Sequence, residues 1–214
     1  MKPILYNTEM MIANLDGRKK RTSRPVRPQP RVSDKFIGDC TASTDKRRVG
    51  EYGFGKDDLS FDLTVRPQYN VGDILYARET FATDNDFATV FEEPVTHGFY
   101  YRADAIAAGM EWVADKCVVK WHPSIHMPRI AARFFQRVTG VRVQRLDDVT
   151  EQDAVDDGFV AKYTRDGDGK FEDVSEYELT ALQQFVEFWK STYGDDQWMW
   201  VYDIEHREKP EAQS

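Results

Sequence analysis

The chain has 214 residues, 41% hydrophobic and 31% charged, and its five Trp, ten Tyr and thirteen Phe exclude a disordered polymer. That length buries a proper core as one large domain or two small ones. Twenty-nine Lys and Arg against 37 Asp and Glu give a net charge of −8, which excludes a protein that is basic all over but not one with a local basic site. Two cysteines, Cys40 and Cys117, cannot make a disulfide framework and suit a reducing cytosol. No apolar run approaches the ~20 residues of a membrane span. The N-terminal stretch meets Asn7, Thr8 and Glu9 too soon for a signal peptide. The expectation is a soluble cytoplasmic protein with no membrane partner.

Lys2 to Tyr6 reads as a short strand. Thr8 offers an N-cap to a helix with Met11, Ile12 and Leu15 on its apolar face, and Gly17 sits where a C-cap glycine belongs. Thr22 to Arg27 is extended, because Pro25 and Pro28 forbid a helix running through it. Ser33 to Gln68 is rich in Gly, Asp and Lys with little periodicity, and reads as a long insertion or flexible flap. Gly72-Asp73 opens a strand over Ile74 to Arg78, and His97 to Arg102 and Cys117 to Trp121 are further strand candidates. Between Ala131 and Leu146 the β-branched Val138, Thr139, Val141 and Val143 outweigh the helical spacing of the arginines and predict a strand or hairpin. Thr150 with Asp153 forms a capping box for a short helix that Gly158 ends. Ser175 with Glu178 forms another for a longer helix with Leu179, Leu182, Phe185, Val186 and Trp189 on one stripe and Gly194 at its end. Trp198 to Ile204 reads as a final buried strand. Separated strands with few helices and no βαβ rhythm predict a barrel-like α+β domain spanning 1–214, with an insertion at 33–68.

The charges are segregated. Arg18, Lys19, Lys20, Arg21, Arg24, Arg27 and Arg31 follow one another with no acid between them. Arg129, Arg133, Arg137, Arg142 and Arg145 make a second group, whereas Asp147 to Glu178 is strongly acidic. One side can face a polyanion while the rest keeps the protein soluble.

The segments LDGRKKRTSR (Leu15 to Arg24) and VGDILYARET (Val71 to Thr80) resemble the ASCH family of the PUA-like superfamily. WHPSIHMPRIAAR (Trp121 to Arg133) and LDDVTEQDAVDDG (Leu146 to Gly158) resemble the larger ASCH proteins of phages and prophages. The resemblance covers most of the chain except Ser33 to Gln68. It implies a small β-barrel with flanking helices and a cleft that takes RNA, a nucleotide or a nucleoside, in a bacterial host cytoplasm if the protein is phage-encoded. Some small bacterial members are acetylcytidine amidohydrolases with the motif GRKTxTxR, a threonine nucleophile, a lysine base and a distant glutamate. The resemblance places these on Thr22, Lys19 and Asp157, and the motif arginine on Arg24. Lys20 replaces the usual threonine, and Asp157 is one methylene shorter than glutamate.

The chemistry follows from the side chains as well. A threonine hydroxyl needs a base to accept its proton, and a lysine serves only when neutral. Arg18, Lys20 and Arg21 around Lys19 act in that direction, whereas a close carboxylate such as Asp157 acts against it. Arg24, two residues after Thr22 in an extended segment, lies on the same side and can bind phosphate or an oxyanion. The alternative is that Lys19, Thr22 and Arg24 form only a basic β-edge for backbone phosphate, with Arg18 and Arg21 as further nucleic-acid-binding residues.

Trp121, His122, Ser124, His126 and Arg129 form a polar-aromatic loop that Pro123 and Pro128 keep irregular. Trp121 either stacks on a base or closes the core. His122 and His126 have zinc-like spacing, with Cys117 nearby, but no third or fourth ligand is evident and no metal is expected. Arg78 and Glu79 either line the cleft or pair at its rim. Asp166 to Lys170 reads as a turn. No Walker loop, GxGxxG, GxSxG or paired CxxC is present, so no cofactor is expected. Three functions stand beside the amidohydrolase: a non-catalytic nucleic-acid-binding module, a ribonuclease using His122 or His126, and a phage accessory protein that binds a host protein through residues 33–68.

Overall fold

The computed structural model describes residues 1–56, 61–86, 98–110, 119–163, 177–195 and 197–209. In chain order the first elements are β1 (Lys2–Leu5), α1 (Thr8–Leu15), β2 (Arg21–Pro25), β3 (Lys35–Asp39), β4 (Tyr52–Gly55), β5 (Leu63–Val65) and β6 (Ile74–Arg78). There follow β7 (Phe81–Ala82), β8 (Tyr100–Tyr101), α2 (Arg102–Ala107) and the long β9 (Phe135–Arg145). The last are α3 (Glu151–Asp156), β10 (Lys162–Tyr163), β11 (Tyr177–Leu179), α4 (Ala181–Tyr193) and β12 (Trp198–Arg207). The protein is α+β, with the hydrogen-bonded strand order β1-β6-β9-β12-β2 in its largest sheet. No closed barrel is formed among the described residues. The chain divides into two compact units, 1–19 with 72–137 and 205–214, and 20–71 with 138–204.

In the first unit, β1 runs parallel to β6, with Lys2 opposite Leu75 and Leu5 opposite Arg78. β6 runs antiparallel to the start of β9. The helix cap is Asn7, one residue before the expected Thr8, because the Asn7 side chain accepts from the Met10 amide at 2.8 Å. Met10, Met11, Ala13 and Asn14 are the buried face of α1, while Leu15, expected there, is exposed. Gly17 then takes φ 71°, a left-handed value that suits glycine at a helix end. Three buried polar groups satisfy one another: Tyr6 donates to Gln136 Oε1 at 2.8 Å, and Gln136 Nε2 donates to Asn14 Oδ1 at 2.7 Å. Leaving one of them unpaired would cost ~1–3 kcal/mol. The strand expected over His97 to Arg102 is only Tyr100–Tyr101, and Arg102 already begins α2. Phe81, Met127, Ala131, Ala132 and Phe135 form a core cluster, with Tyr76, Phe99 and Tyr101 packed against it. His97 and Cys117 lie outside the described residues.

In the second unit, residues 33–68 are not a flap without structure of its own. They carry the antiparallel sheet β3-β4-β5. Tyr52 and Phe54 present their rings edge-on to Trp200 and Trp198 of β12, at centroid distances of 4.8 and 5.0 Å. The register shift between Phe36 and Gly38 breaks the period-two pattern, which is why this sheet reads poorly from sequence. β2 pairs antiparallel with β12, Thr22 opposite Tyr202 and Arg24 opposite Trp200. The Ala131 to Leu146 stretch is one long strand, β9, after a single 3₁₀ turn at Arg129–Ala131. The Thr150–Asp153 capping box forms as expected. The longer helix begins elsewhere: Glu178 belongs to β11, Ser175 is outside the described residues, and the capping box is Thr180 with Gln183. Glu151 of α3 also accepts from the Ala181 and Leu182 amides at 2.8 and 3.0 Å, which satisfies helix-start donors from a neighbouring element. Phe159, Phe185 and Trp189 are buried and packed ring against ring beside these helices. Asp166 to Lys170 lies outside the described residues. Among the described residues no helix is long and apolar enough to cross a membrane.

Candidate functional site

In the second unit, Thr22 and Ser23 of β2 point to opposite sides of the strand and both are buried. Arg24 Nη1 donates to Thr22 Oγ1 at 3.0 Å and to the Ser23 carbonyl at 2.8 Å. The period of two thus brings Arg24 beside Thr22, as the sequence predicts. A guanidinium donor on the hydroxyl oxygen favours negative charge there and leaves the hydroxyl proton to be given away.

Asp157 is the C-cap residue of α3, buried at 4% exposure. The chain enters β2 beside it, because the Lys20 amide donates to the Asp156 carbonyl at 2.7 Å. Arg21, the next residue, is not a bare phosphate ligand. Its guanidinium is bonded to Asp153, lies 3.3 Å from Asp156 and 3.8 Å from Asp203, and is only 15% exposed. Burial alone would push the Asp153 carboxyl up, but hydrogen bonds from Thr150, Gln144 and Arg21 bring it down to about 2. The acidic helix that kept the chain's net charge negative thus neutralises part of the basic run. Arg31 is held likewise by Asp34 and Asp62.

Lys19 closes the first unit. It is 7% exposed, with Nζ 3.6 Å from Met10 Sδ and 5.6 Å from the Tyr6 ring centroid. Its amide donates to the Ala13 carbonyl at the end of α1. An amine so placed has exchanged water for sulfur and an aromatic face. Arg18 turns back to Asp16, with Nη2 at 3.1 Å.

Elsewhere in the first unit Arg78 and Glu79 do not pair with each other. Adjacent residues of an extended segment point to opposite sides, so Arg78 donates to the Ile125 carbonyl while Glu79 meets Arg133. Arg133 makes a fork on Glu79, at 2.9 and 3.0 Å, and a second on Asp104, at 2.7 and 2.9 Å, with its plane 3.8 Å from the Tyr101 ring centroid. Burial pushes the Glu79 carboxyl above its ordinary value against the pull of Arg133.

The loop after Val119 is built as two 3₁₀ turns, Ser124–His126 and Arg129–Ala131, with the Met127 side chain buried between them. His122 is fixed by backbone hydrogen bonds with Phe81 and by Nε2 at 2.9 Å from Asp86 Oδ1. Burial would raise the Asp86 carboxyl, but Thr83 and His122 hold it below its ordinary value. Trp121 and Ser124 are half-buried, and His126 and Arg129 are exposed. Arg129 lies over the Tyr76 ring at 5.9 Å. His122 therefore directs Nε2 to a carboxylate rather than to a shared metal with His126. Among the described residues no group of three His, Cys, Asp or Glu is placed to hold a metal ion. A cavity of about 270 Å³ in the second unit, lined by Cys40, Val49, Tyr52, Pro67, Val71 and Val141, includes none of the predicted residues.

Sequence reading missed Asp86, Asp153 and Arg133 as the partners that fix His122, Arg21 and Glu79. Each partner lies at least 36 residues away in the chain. No family model, curated protein or solved structure matches this chain.

Proposed function

We propose that the protein is an ASCH-type binder of RNA or a modified nucleoside that hydrolyses the amide of an acylated cytidine. The PUA-like barrel plan belongs to this proposal. The two sheet layers of the second unit, joined through Tyr52–Trp200 and Phe54–Trp198, support it.

The observation that carries the reading is burial. Among the described residues eight polar or charged side chains are buried, and four of them are Lys19, Thr22, Asp157 and Glu79. The motif singled out the first three, and Glu79 is the residue read from sequence as lining the cleft or pairing at its rim. A basic edge that only collected phosphate would keep its lysine in water, because desolvating a charge is costly. In the proposed reaction Thr22 Oγ attacks the amide carbon and its proton passes to a neutral base, the role that the resemblance gives to Lys19. The C–N bond breaks, and the proton passes from that base to the departing cytidine nitrogen. Water then cleaves the acyl-threonine ester and releases the carboxylic acid. Arg24, already bonded to Thr22 Oγ1, stabilises the developing negative charge, and the resemblance gives the role of the distant carboxylate to Asp157.

The test is acetate release from acetylcytidine, free and within RNA. The wild type turns over. Thr22→Ala releases no acetate, and Arg24→Gln lowers kcat by about tenfold or more through loss of one charge-assisted donor. Equal, negligible release by wild type and Thr22→Ala overturns the reading.

One observation favours RNA cleavage as a second reading: Asp86 orients His122 as a carboxylate orients a catalytic base. Cyclic phosphate ends on the products, lost in His122→Ala, would select it over deacylation.

A further inference from the structure

The loop from Lys120 to Ile130 lies wholly in the first unit and shows three features together. The first is exposed apolar surface: Ile125 is 59% and Ile130 78% exposed, although isoleucine is among the most buried residue types. The second is rigidity. The His126 amide donates to the Pro123 carbonyl, Met127 to Ser124, Ala131 to Pro128 and Ala132 to Arg129. Arg78 holds the Ile125 carbonyl, Tyr101 holds the Ala131 carbonyl at 2.7 Å, and Met127 is sunk in the core at 1% exposure. The third is charge. From Lys116 to Leu146 the sequence contains no Asp or Glu, in a chain whose net charge is −8. Arg129 is exposed, over the Tyr76 ring, and among the described residues no carboxylate pairs with it.

We infer that this loop is a preformed contact surface for unpaired nucleotides of an RNA, with Ile125 and Ile130 against base faces and Arg129 on phosphate. The inference rests on the reading above that the ligand is RNA or a nucleoside, and it deepens that reading by naming the form of the partner. Isoleucines on a backbone already held by hydrogen bonds lose less ordering entropy on contact than on a free loop, which helps exposed apolar side chains contribute affinity. The faces of stacked bases are hidden in an A-form duplex and open in single strands and loops. The exposed Lys120 and Arg129, in a segment with no acidic residue of its own, complement a phosphate backbone rather than a second copy of this acidic chain.

The experiment is fluorescence anisotropy of the full chain with a short labelled unstructured RNA, the same RNA as a duplex, and a DNA strand of the same sequence, over a salt series. The unstructured RNA binds tightest. Ile125→Ser and Ile130→Ser each weaken it by about threefold to tenfold without changing the salt slope, as loss of apolar contact requires. Arg129→Gln weakens it and lowers the salt slope by about 0.7, as loss of one phosphate contact on a single strand requires. The inference is overturned if the duplex binds as well as the single strand, if DNA binds more tightly than RNA, or if the isoleucine variants bind like wild type, in which case the surface serves a protein. Acetate release is a separate measurement. Isoleucine-dependent RNA binding without turnover upholds the loop and overturns the hydrolase. Turnover with RNA binding indifferent to both isoleucines does the reverse.

Discussion

Replacing Arg21 by Met separates a ligand-binding role for this arginine from a structural one. The substitution keeps the strand and most of the side-chain volume but withdraws the guanidinium from Asp153, Asp156 and Asp203. Breaking a buried ion pair by removing one partner costs ~3–5 kcal/mol. Here the carboxylates keep other partners: Thr150 and Gln144 still donate to Asp153, and Arg142 still holds Asp203 at 2.8 Å. The expected loss is therefore about 2–3 kcal/mol, or ~4–12 °C in Tm for a chain of this length. Thermal unfolding followed by circular dichroism near neutral pH measures it. Adding Asp153→Asn to the variant removes one uncompensated charge and recovers part of the loss. A Tm within ~2 °C of wild type, or a double variant less stable than the single one, would refute the assignment of Arg21 to the fold.

Asp153 makes acid stability a second readout. Its folded value of about 2 lies below the ordinary carboxylate value, so its contribution is present above pH ~4 and is lost as pH falls toward 2. An acid titration of wild type beside Asp153→Asn checks it, and the variant shows a flatter profile in that window. Glu79 has the opposite sign. Its raised carboxyl binds a proton more readily folded than unfolded, so its contribution declines as pH climbs from the ordinary carboxylate value through the raised one. Urea unfolding at a series of pH values should show Glu79→Gln losing less stability than wild type over that climb. Gly140→Ala is expected to cost about 1–3 kcal/mol, because a Cβ there would lie 2.6 Å from Asp203 Oδ2, which Arg142 holds in place. Pairing this variant with Asp203→Ala should remove most of the loss in the same unfolding measurement.

Local signals were legible wherever the deciding partner was local. The Thr150–Asp153 box, the left-handed Gly17 and Gly194 and the alternation that sets Arg24 beside Thr22 all rest on residues within four of each other. Ser175–Glu178 and Thr180–Gln183 match the same capping pattern. The choice between them turns partly on Glu151, which caps the second from thirty residues away. Asn7 displaced Thr8 because either side chain can cap, and only the backbone decides which stands at the boundary. The basic run was legible as a run but not as a site. Its neighbours in sequence are cations, while the carboxylates on Arg21 come from α3 and β12. The 33–68 sheet hid behind a register shift and behind Gly38, Gly53 and Gly55, which carry no side chain to mark a face. At Gly53 the reason is visible: the Phe61 ring occupies the place where a Cβ would be.

The way the chain alternates between its two units bears on how it is made. It passes from one to the other after residues 19, 71, 137 and 204. The first unit draws its last segment from the far end of β12, where the His206 ring lies 4.6 Å from Phe134. A ribosome extruding this polypeptide therefore delivers the N-terminal strand and helix long before the piece that finishes their unit. Early segments must wait, half-clothed, for late ones. Neither half can be excised by trimming an end, and an engineer wishing to isolate one would have to rewire the connections with new linkers instead.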